Sequence, residues 1–178
     1  MNAEKYTRNT IETINNAQAM AEENGNQYLT PEHLLYALVD QDGGLIASIF
    51  TKLGVNCDEL LSELDTAISK LPRVSGGGGE VYASPETGKI LRFADKVAEK
   101  MGDDYVSVEH LMLGVFENAT PAVKSILQNH GITKQRFTEA LSKVKTSPVT
   151  SDNPEDTYDA LKKYGSDLVE RARNNELD

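Results

Sequence analysis

Thr30-Pro31-Glu32-His33-Leu34-Leu35 is written a second time as Ser107-Val108-Glu109-His110-Leu111-Met112, 77 residues further on (30 to 107). The same offset carries Gly25 to Gly102, Tyr28 to Tyr105, Gly54 to Gly131 and Leu64 to Leu141, with no gap. Ala17 and Ala21 fall on Ala94 and Ala98. One register over most of both halves marks a duplicated structural unit. Thr30 and Ser107 are helix-capping residue types, Pro31 suits the first helical position, and Glu32 and Glu109 favour the positive end of the helix dipole. Each copy therefore predicts a turn that opens a buried, apolar helix.

Working outward, Thr7 to Asn24 reads as a first helix with a stripe of Ile11, Ile14, Ala17, Gln18 and Ala21, stopped by Gly25. A third helix over Leu45–Leu53 ends at Gly54. A fourth carries Leu60, Leu61, Leu64, Ala67 and Ile68. Ser84-Pro85-Glu86 opens a fifth helix, Ser107 a sixth, Thr120-Pro121 a seventh and Thr133 an eighth. The expectation is an all-α protein, eight helices as a tandem pair of four-helix repeats related by a pseudo-twofold.

The expected division is a domain over 1–145, with one repeat over 1–70 and the other over 85–145. A glycine-rich link, 71–84, joins them around Ser75-Gly76-Gly77-Gly78-Gly79. Residues 146–157, rich in Ser, Thr, Pro, Asp and Asn, read as a flexible linker. Residues 158–178 regain helical periodicity with too few apolar positions to fold alone, and read as the start of a neighbouring domain.

The chain has 178 residues, 39% hydrophobic and without tryptophan, enough to bury a core. With 28 acidic and 18 basic residues its net charge is -10, which argues against nucleic acid as a partner. No run approaches the roughly 20 apolar residues of a membrane span. Met1–Tyr6 lack the apolar stretch of a secretory leader. The single cysteine, Cys57, forms no internal disulfide and fits a reducing compartment. A cytoplasmic, non-membrane protein is expected.

Chemistry is hard to find. Glu32-His33 and Glu109-His110 are adjacent pairs, and adjacent helical residues point about 100° apart, so they do not converge as a hydrolytic site would. Nor is there a pair of histidines four apart, as on a zinc helix. Capping turns account for both copies. Cys57 starts a helix but has no basic neighbour to activate it. Gly88-Lys89 is followed by Ile90, and position 83 is Ala, so no phosphate loop is written. No catalytic or metal residue is expected, nor a cofactor. The stretch that exceeds folding needs is the fifth helix. Ile90, Leu91, Phe93, Ala94, Val97, Ala98 and Met101 cover a wide arc, with Leu91 and Phe93 at its rims, a place that is more often the margin of a core but, where exposed, has the pattern of a peptide-binding groove.

The duplicated Thr/Ser-x-Glu-His-Leu turn, Leu71-Pro72-Arg73-Val74-Ser75-Gly76-Gly77 and Gly102-Asp103-Asp104-Tyr105-Val106-Ser107 resemble the N-terminal domain of ClpB-type protein disaggregases. Leu161-Lys162-Lys163-Tyr164-Gly165-Ser166-Asp167-Leu168 resembles the segment that opens the first AAA+ domain of that family. The resemblance implies a non-enzymatic, substrate-receiving module tethered to a hexameric ring, with ATP and Mg confined to the ring. The implied partners are unfolded or aggregated polypeptides, the rest of the hexamer and the Hsp70-type (DnaK) system, with the module itself monomeric. The implied substrate-binding positions are Thr7, Asp103 and Glu109, with Leu91 and Phe93 as the groove and His110 beside it. The related ClpC-type domains imply a second reading, in which Glu32 and Glu109 dock adaptors or phosphoarginine. An enzyme built on the Glu-His pairs and a passive spacer complete the alternatives.

Overall fold

A computed structural model describes residues 3–41, 43–74 and 80–152. After a short 3-10 turn at Ala3–Lys5, the helices are α1 (Arg8–Glu23), α2 (Pro31–Val39), α3 (Leu45–Lys52), α4 (Cys57–Ser69), α5 (Pro85–Lys100), α6 (Val108–Glu117), α7 (Pro121–Asn129) and α8 (Lys134–Val144). Adding 77 to the bounds of α1 reproduces those of α5, and the other three pairs agree within two residues. The all-α, two-repeat architecture is thus as expected. The glycine run 75–79 and the segment 158–178 lie outside the described residues.

The local causes are those of the sequence. Thr7, Ser84, Asn56, Thr120 and Thr133 each cap a helix by accepting the backbone N–H three residues on. Gly25 and Gly102, at φ 72° and 78°, take the left-handed turn that ends α1 and α5 at equivalent places. Two features were not expected. Tyr28–Leu29 (β1) and Tyr82–Ala83 (β2) form a two-stranded parallel sheet. The stripe of α1 is Thr10, Thr13, Ala17 and Ala21, while Ile11 is exposed and Ile14 only half-buried. The hydroxyls sit inside because each has a partner: Thr10 Oγ1 donates to Val106 C=O, and Thr13 Oγ1 accepts from Gln41.

The repeats complete one another. Leu29 of β1 pairs with Ala83, and Ser84 N–H and Thr87 Oγ1 both donate to Leu29 C=O, at 3.0 and 2.7 Å. In mirror fashion Val106 pairs with Tyr6, and Thr7 N–H and Thr10 Oγ1 both donate to Val106 C=O, at 3.0 and 2.9 Å. Each repeat therefore lends the segment before its first helix to the other, around a pseudo-twofold. Between them the core is continuous, with Leu34, Leu35, Leu38, Leu111 and Met112 fully buried on α2 and α6. Phe137 of α8 meets Phe50 of α3 edge-on at 6.3 Å and Phe116 of α6 at 5.6 Å, joining the repeats through aromatic contact.

Past α8, residues 146–152 belong to the span expected as a free linker. Val149 is instead fully buried, and its C=O accepts from Asp104 N–H at 2.8 Å. Asp152 C=O accepts from Arg8 N–H at 2.8 Å. Composition alone pointed to a tether, whereas these main-chain bonds dock its first half on the domain. Among the described residues no helix is long and apolar enough to cross a membrane.

Candidate functional site

The two histidines organise the duplicated turns, in a way the sequence did not suggest. Backbone N–H of Thr30 donates to His33 Nδ1 at 2.9 Å, and that of Ser107 donates to His110 Nδ1 at 2.9 Å. A nitrogen that accepts an N–H carries no hydrogen, so each ring holds its hydrogen on Nε2. His33 Nε2–H donates to Asn26 Oδ1 at 2.9 Å, and His110 Nε2–H to Asp103 Oδ2 at 2.7 Å. Histidine here takes the part that Glu or Gln plays in an ordinary capping box. Both rings are fully buried. Burial holds His33 down at about 4. Burial also lowers His110, helped by the Lys145 charge and opposed by Glu109 and Asp103. With both nitrogens of each ring engaged, neither imidazole is available as a general base.

Repeat two adds charge to this frame. Asp103 Oδ2, Glu109 and His110 Nε2 lie within 4.8 Å of one another, all buried. Their spacing would suit a metal, but the tautomer of His110 presents a hydrogen to the cluster rather than a lone pair. Lys145, at the end of α8, fills the space instead. Its Nζ donates to Asp103 Oδ2 at 2.5 Å and stands 2.9 Å from Glu109 Oε2 as an ion pair, off the hydrogen-bond direction. Burial raises the Asp103 pKa, but bonds from Lys145, Val149 N–H and His110 outweigh it and hold the carboxyl below its ordinary value. Among the described residues, Glu109 Oε1 and Glu32 Oε1 are buried without a hydrogen-bond partner.

The two turns differ by a matched exchange. Asp103, an acceptor only, takes Val149 N–H on Oδ1 at 2.8 Å. Its counterpart Asn26 donates from Nδ2 to Pro72 C=O at 3.0 Å, because proline has no N–H to give. Beside Asn26 the chain leaves a pocket of about 340 Å³ lined by Tyr28, Leu71, Pro72, Arg73 and Val74.

The other expected site residues are placed as follows. Thr7 is fully buried as the cap of α1, tied by its N–H to Val106, four residues before His110. Leu91, expected at an open rim, is 6% exposed and belongs to the core, because α5 packs along α6 more fully than the arc alone indicates. Phe93 is half-buried, as is Val97, and Met101 is 39% exposed. These three stand four residues apart on one face of α5, where repeat one has Asn16, Met20 and Asn24. Glu32, the alternative site residue, is 5% exposed. Sequence reasoning missed Asn26 and Lys145. The recurrence of Asn or Asp seven residues before each His was the available signal for the first, and none marked the second.

This pairing of repeats defines a class. The model of the Clp repeat N-terminal domain matches residues 5–130, and the chain belongs to that family. Over its whole length the chain is similar to the N-terminal part of a chaperone protein ClpB from Brucella suis, 38% identical over 179 residues. It spans about a fifth (20%) of that relative's length. The fold is that of the Hsp104 N-terminal domain from Candida albicans, with a TM-score of 0.76 at 22% identity, covering 85% of this chain and 99% of that one. A ClpV N-domain solved in complex with a VipB peptide is also similar, with a TM-score of 0.62 at 14% identity, covering 78% of this chain and 86% of that one.

Proposed function

We propose that the chain is the client-receiving N-terminal module of a ClpB-type chaperone. It would engage exposed apolar segments of unfolded or aggregated proteins and pass them to an ATP-driven hexameric ring, in the cytoplasm and in concert with an Hsp70-type system. ATP and Mg belong to that ring, and the module itself has no catalytic role and acts as a monomeric unit. The observation that carries this reading is the Phe93–Val97–Met101 face, apolar and partly open on α5 where the other repeat is mostly polar. Asp103, Glu109 and His110, buried at the N-terminal end of α6, and Thr7 of the first repeat, tied to Val106 beside them, would act by holding that end of α6 in place rather than by touching the client. A shallow face of this kind gives weak, sequence-tolerant contact, which a six-membered ring strengthens by multivalency. Titrating the chain with an unfolded, apolar-rich polypeptide should shift NMR signals along α5, and Phe93→Ser should remove those shifts. Shifts that survive Phe93→Ser, or none at all, would refute the reading. Leu91→Ser is the poorer probe, since it opens the core.

A second reading has its own support. Glu32 keeps a buried carboxylate oxygen without a hydrogen-bond partner among the described residues, the kind of group a cationic ligand would satisfy. Adaptor or phosphoarginine docking, as in ClpC-type proteins, would then centre on Glu32. Phosphoarginine that shifts Glu32 and Thr30 signals at low salt, and leaves α5 unmoved, would favour it.

A further inference from the structure

The buried anionic cluster of repeat two is occupied by a cation that the chain itself supplies. Lys145 Nζ sits 2.5 Å from Asp103 Oδ2, 2.9 Å from Glu109 Oε2 and 3.5 Å from His110 Nε2. Four residues on, Val149 enters the domain and is fully buried, while Thr146, Ser147, Pro148, Thr150, Ser151 and Asp152 stay exposed. Val149 N–H donates to Asp103 Oδ1 and its C=O accepts from Asp104 N–H, both at 2.8 Å. The segment thus lies as a bound peptide lies: main chain paired to the receptor, two side chains inserted, the rest in water. Glu109 Oε1, buried and without a hydrogen-bond partner among the described residues, is left unsatisfied by the single ammonium.

We propose that residues 145–152 are a tethered self-ligand, and that the cavity recognises a basic side chain followed four residues later by an aliphatic one on an extended segment. The inference rests on the client-receiving reading. It adds a client chemistry and an autoinhibitory contact, since the strap must leave before such a segment binds. A tethered ligand acts at an effective concentration of about a millimolar, so apparent client affinity falls by the fraction of molecules with the strap docked. A guanidinium, with more donors than an ammonium, would also reach the open oxygen of Glu109.

The test uses the whole chain and two fluorescent peptides. One copies residues 143–152, and the other carries norleucine in place of the lysine at 145. Val149→Ser weakens the strap and leaves the cavity groups in place. It should bind the first peptide about tenfold more tightly than the wild type, and both chains should bind the second far more weakly than the first. In the wild type, a saturating excess of the first peptide should abolish hydrogen-exchange protection of the Val149 amide. A folded Val149→Ser chain that binds the first peptide no more tightly, or binds both peptides equally well, overturns the proposal. Should that variant not fold, the Val149 amide decides, and unchanged protection overturns it. Client-induced shifts along α5 that are identical in wild type and variant would leave the client reading standing while these results sink the self-ligand.

Discussion

Lys145 stands where Ile68 stands in the other repeat, 77 residues apart, and both side chains are buried. The isoleucine accompanies Asn26, and the lysine accompanies Asp103. A buried cation is tolerable only beside an anion, so the lysine requires the aspartate, whereas the isoleucine requires no charge at Asn26.

Lys145→Ile alone should therefore be severe. It strands Asp103 and Glu109 without a countercharge, at a cost of about 3–5 kcal/mol. Adding Asp103→Asn rebuilds the polarity of repeat one and should recover about 1–3 kcal/mol of that loss. Urea denaturation of the four members of the cycle measures it, and simple additivity would show that the two sites are uncoupled.

Acid should loosen the capping turns before it reaches the carboxylates. His33 is held at about 4 when folded, against an ordinary value of 6.5. The unfolded chain takes up the proton first, so the stabilisation is full above about pH 6.5 and is lost as pH falls towards 4, on the order of 3 kcal/mol. His110 is lowered as well and works in the same direction. Thermal melts from pH 7 to 4 should fall steadily, with a smaller slope in His33→Gln.

Gly114 marks the closest approach of α5 and α6. A Cβ there would stand 2.8 Å from Ile90 C=O and 2.9 Å from Ile90 Cγ2. The first is helix backbone and cannot turn aside. Gly114→Ala should destabilise by about 1–3 kcal/mol, more than the roughly 1 kcal/mol that alanine contributes to a helix. Chemical denaturation settles the sign, and a more stable variant would mean that the helices can part.

Tyr6 is buried with its hydroxyl unpartnered among the described residues, and burial, then the Asp95 charge, raises its pKa. Tyr6→Phe removes a group that gains nothing inside. The melting temperature should hold or rise, and a fall of several degrees would reveal an unseen partner for that oxygen.

The sequence was a good guide wherever duplication repeated a local rule. Caps, glycine stops and the apolar runs of α2 and α6 lie where the spacing predicts. It failed where burial depends on a partner far along the chain. The stripe expected for α1 left out Thr10 and Thr13, because hydropathy does not record that Val106 and Gln41 wait to satisfy them. Lys145 carried no signal beside its polar linker, and its partner Asp103 is 42 residues away in sequence. Leu91 and Phe93 were both read as rim residues, and only the packing of α5 on α6 separates the buried one from the half-open one.

The exchanged leading segments bear on the history of the molecule. A lone repeat would have no site of its own for the residues before its first helix, except on a second copy. Two such chains would close as a twofold dimer, each binding the other's arm. The present chain has the form of that dimer made continuous. In a homodimer any substitution alters both halves at once. Fusion lifts that constraint, so one half can carry asparagine and isoleucine where the other carries aspartate and lysine, and with them a buried ion pair.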